Sequence, residues 1–434
     1  LKKIPTSFFG RGKKLLGIAG KVALEEVSSR LKTWEDEKEK LKSKVQLAQE
    51  VVKTLSQLKG ASMKVGQLLS LDLGDYLPPE MVKVLEELHQ KSTFLDFPEI
   101  EKLLKRELGE KFHHFTDISP TPIAAASIGQ VHQAKLEGKS VVIKVQYPGV
   151  AESIPSDLKL LELLLKQGSL LYQKSQTDIT PFMEEVRDVL TKEADYVHEL
   201  TMHELYREKI QSPEYKIPDV HREYSTQKVL TQEFIEGKSF SEWLKTNPDV
   251  STKKRIGDQL IRLYLDEFFL YGLVQTDPNP GNFLITSENS IALLDFGAVK
   301  IYEKNFVEGY RRILISSYKK DSSGVLQESF KLGFIDSRES AEAHAIYLEM
   351  MDFLIDPFRR EEMFDFGDKS FFEKSRDLSW EMTKKCRYSP PPKDLIFLHR
   401  KLAGIFIFLK RLEIRMKLKD YWHYVDKKDS QVFL

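Results

Sequence analysis

Asp277 and Asn282 stand five residues apart in "QTDPNPGNFLI", and Asp295 follows Asn282 by thirteen residues in "LLDFGAVK". An amide and a carboxylate returned to one place by a chain reversal supply the oxygen ligands that magnesium prefers while it keeps several waters. That makes Asn282 and Asp295 the candidate metal ligands. Asp277 stands where a carboxylate would orient a nucleophile as general base. Far upstream, Lys144 sits in "VVIKV", a β-branched run that reads as a strand. An ammonium there would hold the α- and β-phosphates of a nucleotide. Each short match alone is common. In this order they are the parts that phosphoryl transfer from ATP with Mg2+ requires: a loop over the phosphates, a lysine, an acid to hold it, and metal ligands.

The loop lies thirteen residues before Lys144. Against the phosphate-covering pattern G-x-G-x-x-G-x-V the chain offers Ala124-x-Ala126-x-x-Gly129-x-Val131, so only the third glycine and the valine remain. Ala124, Ala125, Ala126, Ser127, Ile128, Gly129, Gln130 and Val131 are the candidate nucleotide-covering residues. Alanine narrows the backbone angles, which predicts a stiffer loop than glycine would give. The adenine is expected against the backbone of residues 232–235, with Glu233 and Phe234 at its centre. For the acid that holds Lys144, "TKEADYVHEL" offers Glu193, Asp195 and Glu199. Read as one helix from Thr180 to Arg207, it puts Asp195 and Glu199 one turn apart on a shared face, with Glu193 to one side. Without Lys144, such acids would read as a solvated face.

Two features depart from protein kinases. Gln275-Thr276 replaces the His-Arg before the catalytic aspartate, and no A-P-E follows the DFG. A platform for a protein substrate is therefore not expected.

The elements that must position these residues are legible from periodicity. Val45, Ala48, Val52, Leu55, Leu58, Val65 and Leu68 form one apolar stripe of a helical segment. A second helix is predicted over Phe97–Leu108. "SPTPIAAASIGQVHQAKLEGKSVVIKVQYPG" turns from small residues to β-branched runs around an "EGK" turn, as in a hairpin, and "YKIPDV" and "QKVLTQEFI" are further strand candidates. Helices are predicted from Ser156 to Lys174 and from Thr180 to Arg207. After Gly237 the pattern is helical except for "NFLITSENSIALLDFG", a pair of short strands. A small mixed sheet followed by a helical half is the layout of a two-lobed α+β protein. The expected division is 1–43, a basic segment and first helix; 44–115, a helical extension; 116–236, a sheet-containing lobe; and 237–434, a helical lobe.

Composition narrows the class. The 434 residues are 41% hydrophobic and 30% charged with zero formal net charge, which gives no basis for nucleic-acid binding. Cys386 alone excludes an intramolecular disulfide and a cysteine zinc site, and fits a reducing, cytoplasmic setting. No apolar run reaches the roughly 18 residues of a spanning helix. Lys2, Lys3, Arg11, Lys13, Lys14 and Lys21 precede the first acid, Glu25, so the N-terminal stretch reads as a peripheral membrane contact, an organelle transit peptide or a solvated basic end.

"LKGASMKVGQLLS", with Lys64, Gly66 and Gln67, resembles the KxGQ signature of the UbiB/COQ8 (ABC1/ADCK) atypical kinases. "AAASIGQVH" is similar to that family's alanine-rich loop, Glu193-Ala194-Asp195 to its ExD motif, and "QTDPNPGNF" and "LLDFG" to its metal-binding segments. His198 stands where an arginine is common. The resemblance implies a protein-kinase-like two-lobed fold with a helical KxGQ extension laid over the site. It further implies that Lys64 reaches Glu193 and Asp195, which leaves Glu199 for Lys144. It implies ATPase or small-molecule kinase activity with ATP and Mg2+ in support of ubiquinone biosynthesis or lipid homeostasis, with a lipid or quinone precursor as ligand. The competing expectations are a true protein kinase and a nucleotide-gated lipid or quinone scaffold with little turnover.

Overall fold

The computed structural model describes residues 94–126, 128–171, 180–389 and 392–426. The basic N-terminal stretch, the apolar stripe, Lys64, Gly66, Gln67 and Ser127 lie outside the described residues. In chain order the first elements are α1 (Phe97–Leu108), β1 (Phe115–Thr116), β2 (Ala124–Ala126), β3 (Gly129–Leu136) and β4 (Lys139–Gln146). Then come α2 (Val150–Leu171), α3 (Thr180–Glu193), α4 (Tyr196–Lys209), β5 (Tyr215–Lys216) and β6 (Val229–Glu233). The chain continues with β7 (Lys238–Ser239), α5 (Phe240–Lys245), α6 (Val250–Leu265), a π-helical turn over Asp266–Tyr271 and β8 (Leu273–Gln275). It goes on with β9 (Phe283–Ile285), β10 (Ile291–Leu293), β11 (Val299–Ile301), α7 (Lys304–Tyr318), α8 (Ser322–Leu332) and α9 (Ala341–Arg359). It closes with β12 (Phe364–Asp365), α10 (Lys369–Lys385), α11 (Lys393–Leu412), β13 (Arg415–Met416) and α12 (His423–Asp426).

The chain divides into two units. One runs through Leu200 and includes Val220–Phe234; the other comprises Thr201–Asp219 and the chain from Ile235 onward. In the first, β1, β3, β4 and β6 lie side by side, all antiparallel, with β2 folded back on β3. The β3–β4 turn is Glu137-Gly138, both at positive φ, which the "EGK" reading anticipated. Alternation along β4 sends Val141, Ile143 and Val145 into a core with Ile100, Leu103, Leu104 and Leu108 of α1. The three- and four-residue steps of those α1 positions form one apolar face, so the helix covers one side of the sheet. Lys144 consequently belongs to the opposite face.

Three expectations of the element reading change. The alanine-rich stretch is not an open loop but a strand, β2, in a tight hairpin with β3. The helix expected from Ser156 begins earlier, at Val150. The single helix from Thr180 to Arg207 is two, broken at Ala194-Asp195. Aspartate explains the break: Asp195 Oδ1 accepts the backbone N–H groups of Val197 (3.1 Å) and His198 (3.2 Å), capping the start of α4. Aspartate competes with a continuous helix for those donors and favours the cap position.

In the second unit, β5, β10, β9 and β7 form one sheet, and β8 pairs with β11. Its core gathers Leu260 and Leu263 of α6, Phe268, Ile313 of α7, and Leu398, Phe408 and Leu412 of α11.

Candidate functional site

In the first unit, direct cross-strand pairing places Ala124, Val131, Lys144 and Leu230 in one row across β2, β3, β4 and β6. Ala126 pairs with Gly129 and belongs to the same face, whereas Ala125, Gln130 and Val145 belong to the other. Ala124 and Ala125 are exposed. Gly129 lies so close to β4 that a Cβ there would collide with the Val145 carbonyl, and Ile128 is buried against Tyr147 and Val150. Gln130 is fully buried, and its side chain accepts Leu95 N–H at 2.8 Å and meets His132 Nε2 at 2.8 Å. Of the eight residues expected over the nucleotide, the structure therefore brings Ala124, Ala126, Gly129 and Val131 to the lysine's face, and commits the Gln130 side chain elsewhere. At the end of β6, Glu233 and Phe234 are half-buried, and Phe234 N–H already donates to Ser140 O (3.1 Å).

Lys144 meets Glu199. Its ammonium donates to Glu199 Oε1 at 2.7 Å, with side chains 8% and 4% exposed. The cap at Asp195 places Glu199 in the first turn of α4, where a carboxylate also complements the helix dipole. Gln146, two residues along β4 from Lys144, donates to Ala194 O (2.8 Å) and Gln227 O (3.2 Å). That amide ties the strand to the helix break, a contact no sequence signal announced. Glu193 and Asp195 are half-buried at the break. His198 is held below its usual pKa, by burial first and then by the nearby Lys192.

The second unit assembles the other segments. The turn at Pro280–Asn282 is capped by Asn279, whose Oδ1 accepts Gly281 N–H at 3.0 Å. Asp277 is buried; its Oδ1 accepts Asn279 N–H (3.2 Å) and its Oδ2 accepts Asn282 Nδ2 (3.2 Å). That bond orients the Asn282 amide and leaves Oδ1 as its acceptor end. The β9–β10 hairpin returns the chain as the sequence anticipated: Leu294 N–H donates to Asn282 O at 3.0 Å, one residue before Asp295. Asp295 Oδ1 accepts Gly297 N–H (3.1 Å), and its carbonyl accepts Gln275 Nε2 (3.4 Å). Phe296 is fully buried, stacked on His203 (4.1 Å) and tilted against Tyr206 (5.0 Å). Gln275 and Thr276, the replaced pair, are both structural: Thr276 Oγ1 donates to Ala298 O (2.7 Å), so both grip the segment around the DFG.

Among the described residues, no cluster of three or more His, Cys, Asp or Glu could hold a metal. One amide oxygen and one carboxylate on neighbouring segments fit an ion that completes its shell with water and phosphate oxygens. That is magnesium's habit, not the closed cage of a structural zinc.

The family model described as "ABC1 atypical kinase-like domain" matches residues 87–329, more than half the chain. The chain belongs to the ABC1 atypical kinases. Among curated family members, it is 33% identical over 377 residues to "Atypical kinase COQ8B, mitochondrial" of Danio rerio, covering 86% of this chain and 60% of that protein. It is 34% identical over 368 residues to "Atypical kinase COQ8, mitochondrial" of Saccharomyces cerevisiae, covering 83% of this chain and 72% of that protein. A solved Mycobacterium tuberculosis structure, "The complex structure of Rv3197-erythromycin", superposes with a TM-score of 0.61 at 26% identity, over 92% of this chain and 97% of that one. The kinase-like α+β fold and the UbiB/COQ8 resemblance follow. Among the described residues, no helix is long and apolar enough to cross a membrane.

Proposed function

We propose that this ABC1 family member is a Mg-dependent ATPase or small-molecule kinase acting in support of isoprenoid-quinone biosynthesis or lipid homeostasis. The observation that carries the reading is the buried Lys144–Glu199 pair at 2.7 Å, on the sheet face that also bears Ala124, Ala126, Gly129 and Val131. A buried lysine paired with an acid is suited to the α- and β-phosphates of ATP. Residues 124–131, Ser127 among them, would cover those phosphates with backbone N–H groups. Residues around Glu233 and Phe234 would take the adenine.

Asn282 through Oδ1 and Asp295 through its carboxylate would hold the magnesium, which when bound neutralises charge on the phosphates. Asp277 would orient the attacking water or small hydroxyl with one oxygen while the other keeps Asn282 in place. Lys64, Gly66 and Gln67 would regulate the site through Glu193 and Asp195. The absence of an A-P-E and of the His-Arg pair from the sequence supports a small acceptor over a protein. The M. tuberculosis neighbour, titled as a complex with erythromycin, supports a fold that accommodates a bulky small molecule.

The test is ATP hydrolysis by wild type and Asp295→Asn, with and without anionic liposomes. Turnover that is lost in Asp295→Asn and raised by liposomes is expected. Turnover at background under every condition would favour the scaffold reading. Phosphorylation of a partner protein in trans, lost in Asp277→Asn, would favour a protein kinase.

A further inference from the structure

Helix α11 lies beyond residue 329, where the match to the family model ends, yet it touches the chain on both sides of Asp277 and after Asn282. Gly404 packs directly on Pro278: a methyl there would collide with Pro278 Cβ and lie 2.8 Å from its Cγ. Phe408 meets Phe283, the residue after Asn282, edge to face at 5.2 Å. Lys401, fully buried, reaches the residue two before Asp277: its Nζ is 3.3 Å from Gln275 Oε1. It is also 3.2 Å from Oε2 of Glu267, itself fully buried.

Glu267 sits in the π-helical turn before β8, a departure from α-geometry that often marks functional positions. Its Oε1 accepts both Tyr206 OH (2.7 Å) and Gln275 N–H (3.0 Å). Gln275 Nε2 in turn donates to the carbonyl of Asp295 (3.4 Å). Two buried opposite charges are costly to assemble unless geometry and further hydrogen bonds compensate. Here two of the further bonds, Gln275 N–H to Glu267 and Gln275 Nε2 to the Asp295 carbonyl, end on the segments that carry the candidate metal and base residues, and Tyr206 OH supplies the third.

We propose that Lys401 is a positioning residue: the Glu267–Lys401 pair fixes the Gln275 amide with its oxygen toward Lys401 and its NH2 toward Asp295, and α11 thereby holds the Asp277 and Asp295 segments in register. With Lys401 removed, the amide loses the donor that sets its orientation, and the Asp295 carbonyl loses its assured partner. The inference rests on the proposed ATP-dependent activity for its kinetic readout, but not for its structural one.

The test uses the full chain and the double variant Lys401→Met with Glu267→Gln, which removes both charges together and keeps an acceptor for Tyr206 and Gln275. Gln275→Met, which deletes only the amide, serves if the double variant fails to fold. Steady-state ATP hydrolysis and hydrogen–deuterium exchange are measured on each. The expected result is kcat lowered by about tenfold or more with KM within about threefold, as for interactions made only in the transition state. Exchange should quicken over residues 275–283 and 294–299 and stay unchanged in α6 and α7. A folded variant with kcat within twofold of wild type and unchanged exchange in those segments would overturn the proposal. So would a uniform rise in exchange across the unit, which would mean a merely structural role. If wild type shows no turnover, the functional reading fails, and the exchange comparison still decides the positioning claim.

Discussion

Replacing Lys144 by Met would leave the Glu199 carboxylate, 4% exposed, without the ammonium 2.7 Å away. At that separation and an effective dielectric near 20, the pair attracts by about 6 kcal/mol. Desolvation of both groups offsets much of that, but removing one partner of a buried pair costs about 3–5 kcal/mol. Glu199→Met should also destabilise, because the Lys144 ammonium, with the Tyr196 ring centroid 5.5 Å away, loses its carboxylate at 2.7 Å. The double variant removes both charges and should be less destabilised than the sum of the two, with a coupling of about 2–3 kcal/mol. The assay is equilibrium urea unfolding of the full chain followed by circular dichroism, read on the transition that the single variants move. Strictly additive losses, or single losses below about 1 kcal/mol, would refute the claim that this is a coupled buried pair. Lys144→Met should also abolish ATP binding; unchanged binding would remove the lysine from the nucleotide site.

Three further outcomes follow from the first unit. Gly129→Ala should destabilise by about 1–3 kcal/mol or more in thermal melting, because its methyl meets the Val145 carbonyl and not a movable side chain; an unchanged melting temperature would contradict the close approach of β3 to β4. Asp195→Ala should cost about 1 kcal/mol and weaken the start of α4, seen as faster amide exchange at Val197 and His198. His132 is fully buried, hydrogen-bonds the Gln130 side chain and the Ser119 carbonyl, and is held below the usual 6.5, by burial foremost. The unfolded chain therefore binds that proton more readily, so stability is full above about pH 6.5 and falls as pH drops below it. His132→Gln should flatten that slope in urea midpoints taken from pH 7.5 to 5.

The placement of the candidate residues was more legible than the joints that hold them. Asp277, Asn282 and Asp295 could be read because their spacing is local and a two-strand hairpin closes it. Lys144 was legible because β-branched neighbours announce a strand and alternation then fixes its face. Glu199 was one of three acids until the family's ExD pattern claimed the other two for Lys64. Periodicity alone ran α3 and α4 together, since the apolar pattern continues through Ala194-Asp195 and only the capping bonds of Asp195 end it. The alanines read as a loop because their strand depends on pairing with β3, not on propensity. Lys401 was invisible: 126 residues separate it from Gln275, and a lysine inside an apolar helix reads as an interruption until Glu267 is seen opposite it.

The most direct test of an ATP site built on Asn282 and Asp295 is calorimetric titration of the full chain with ATP, in Mg2+ and in EDTA, for wild type and Asp295→Asn. ATP should bind wild type in Mg2+, and about tenfold or more weakly both in EDTA and in Asp295→Asn. Equal affinity under all these conditions, or no binding by wild type in Mg2+, would contradict it.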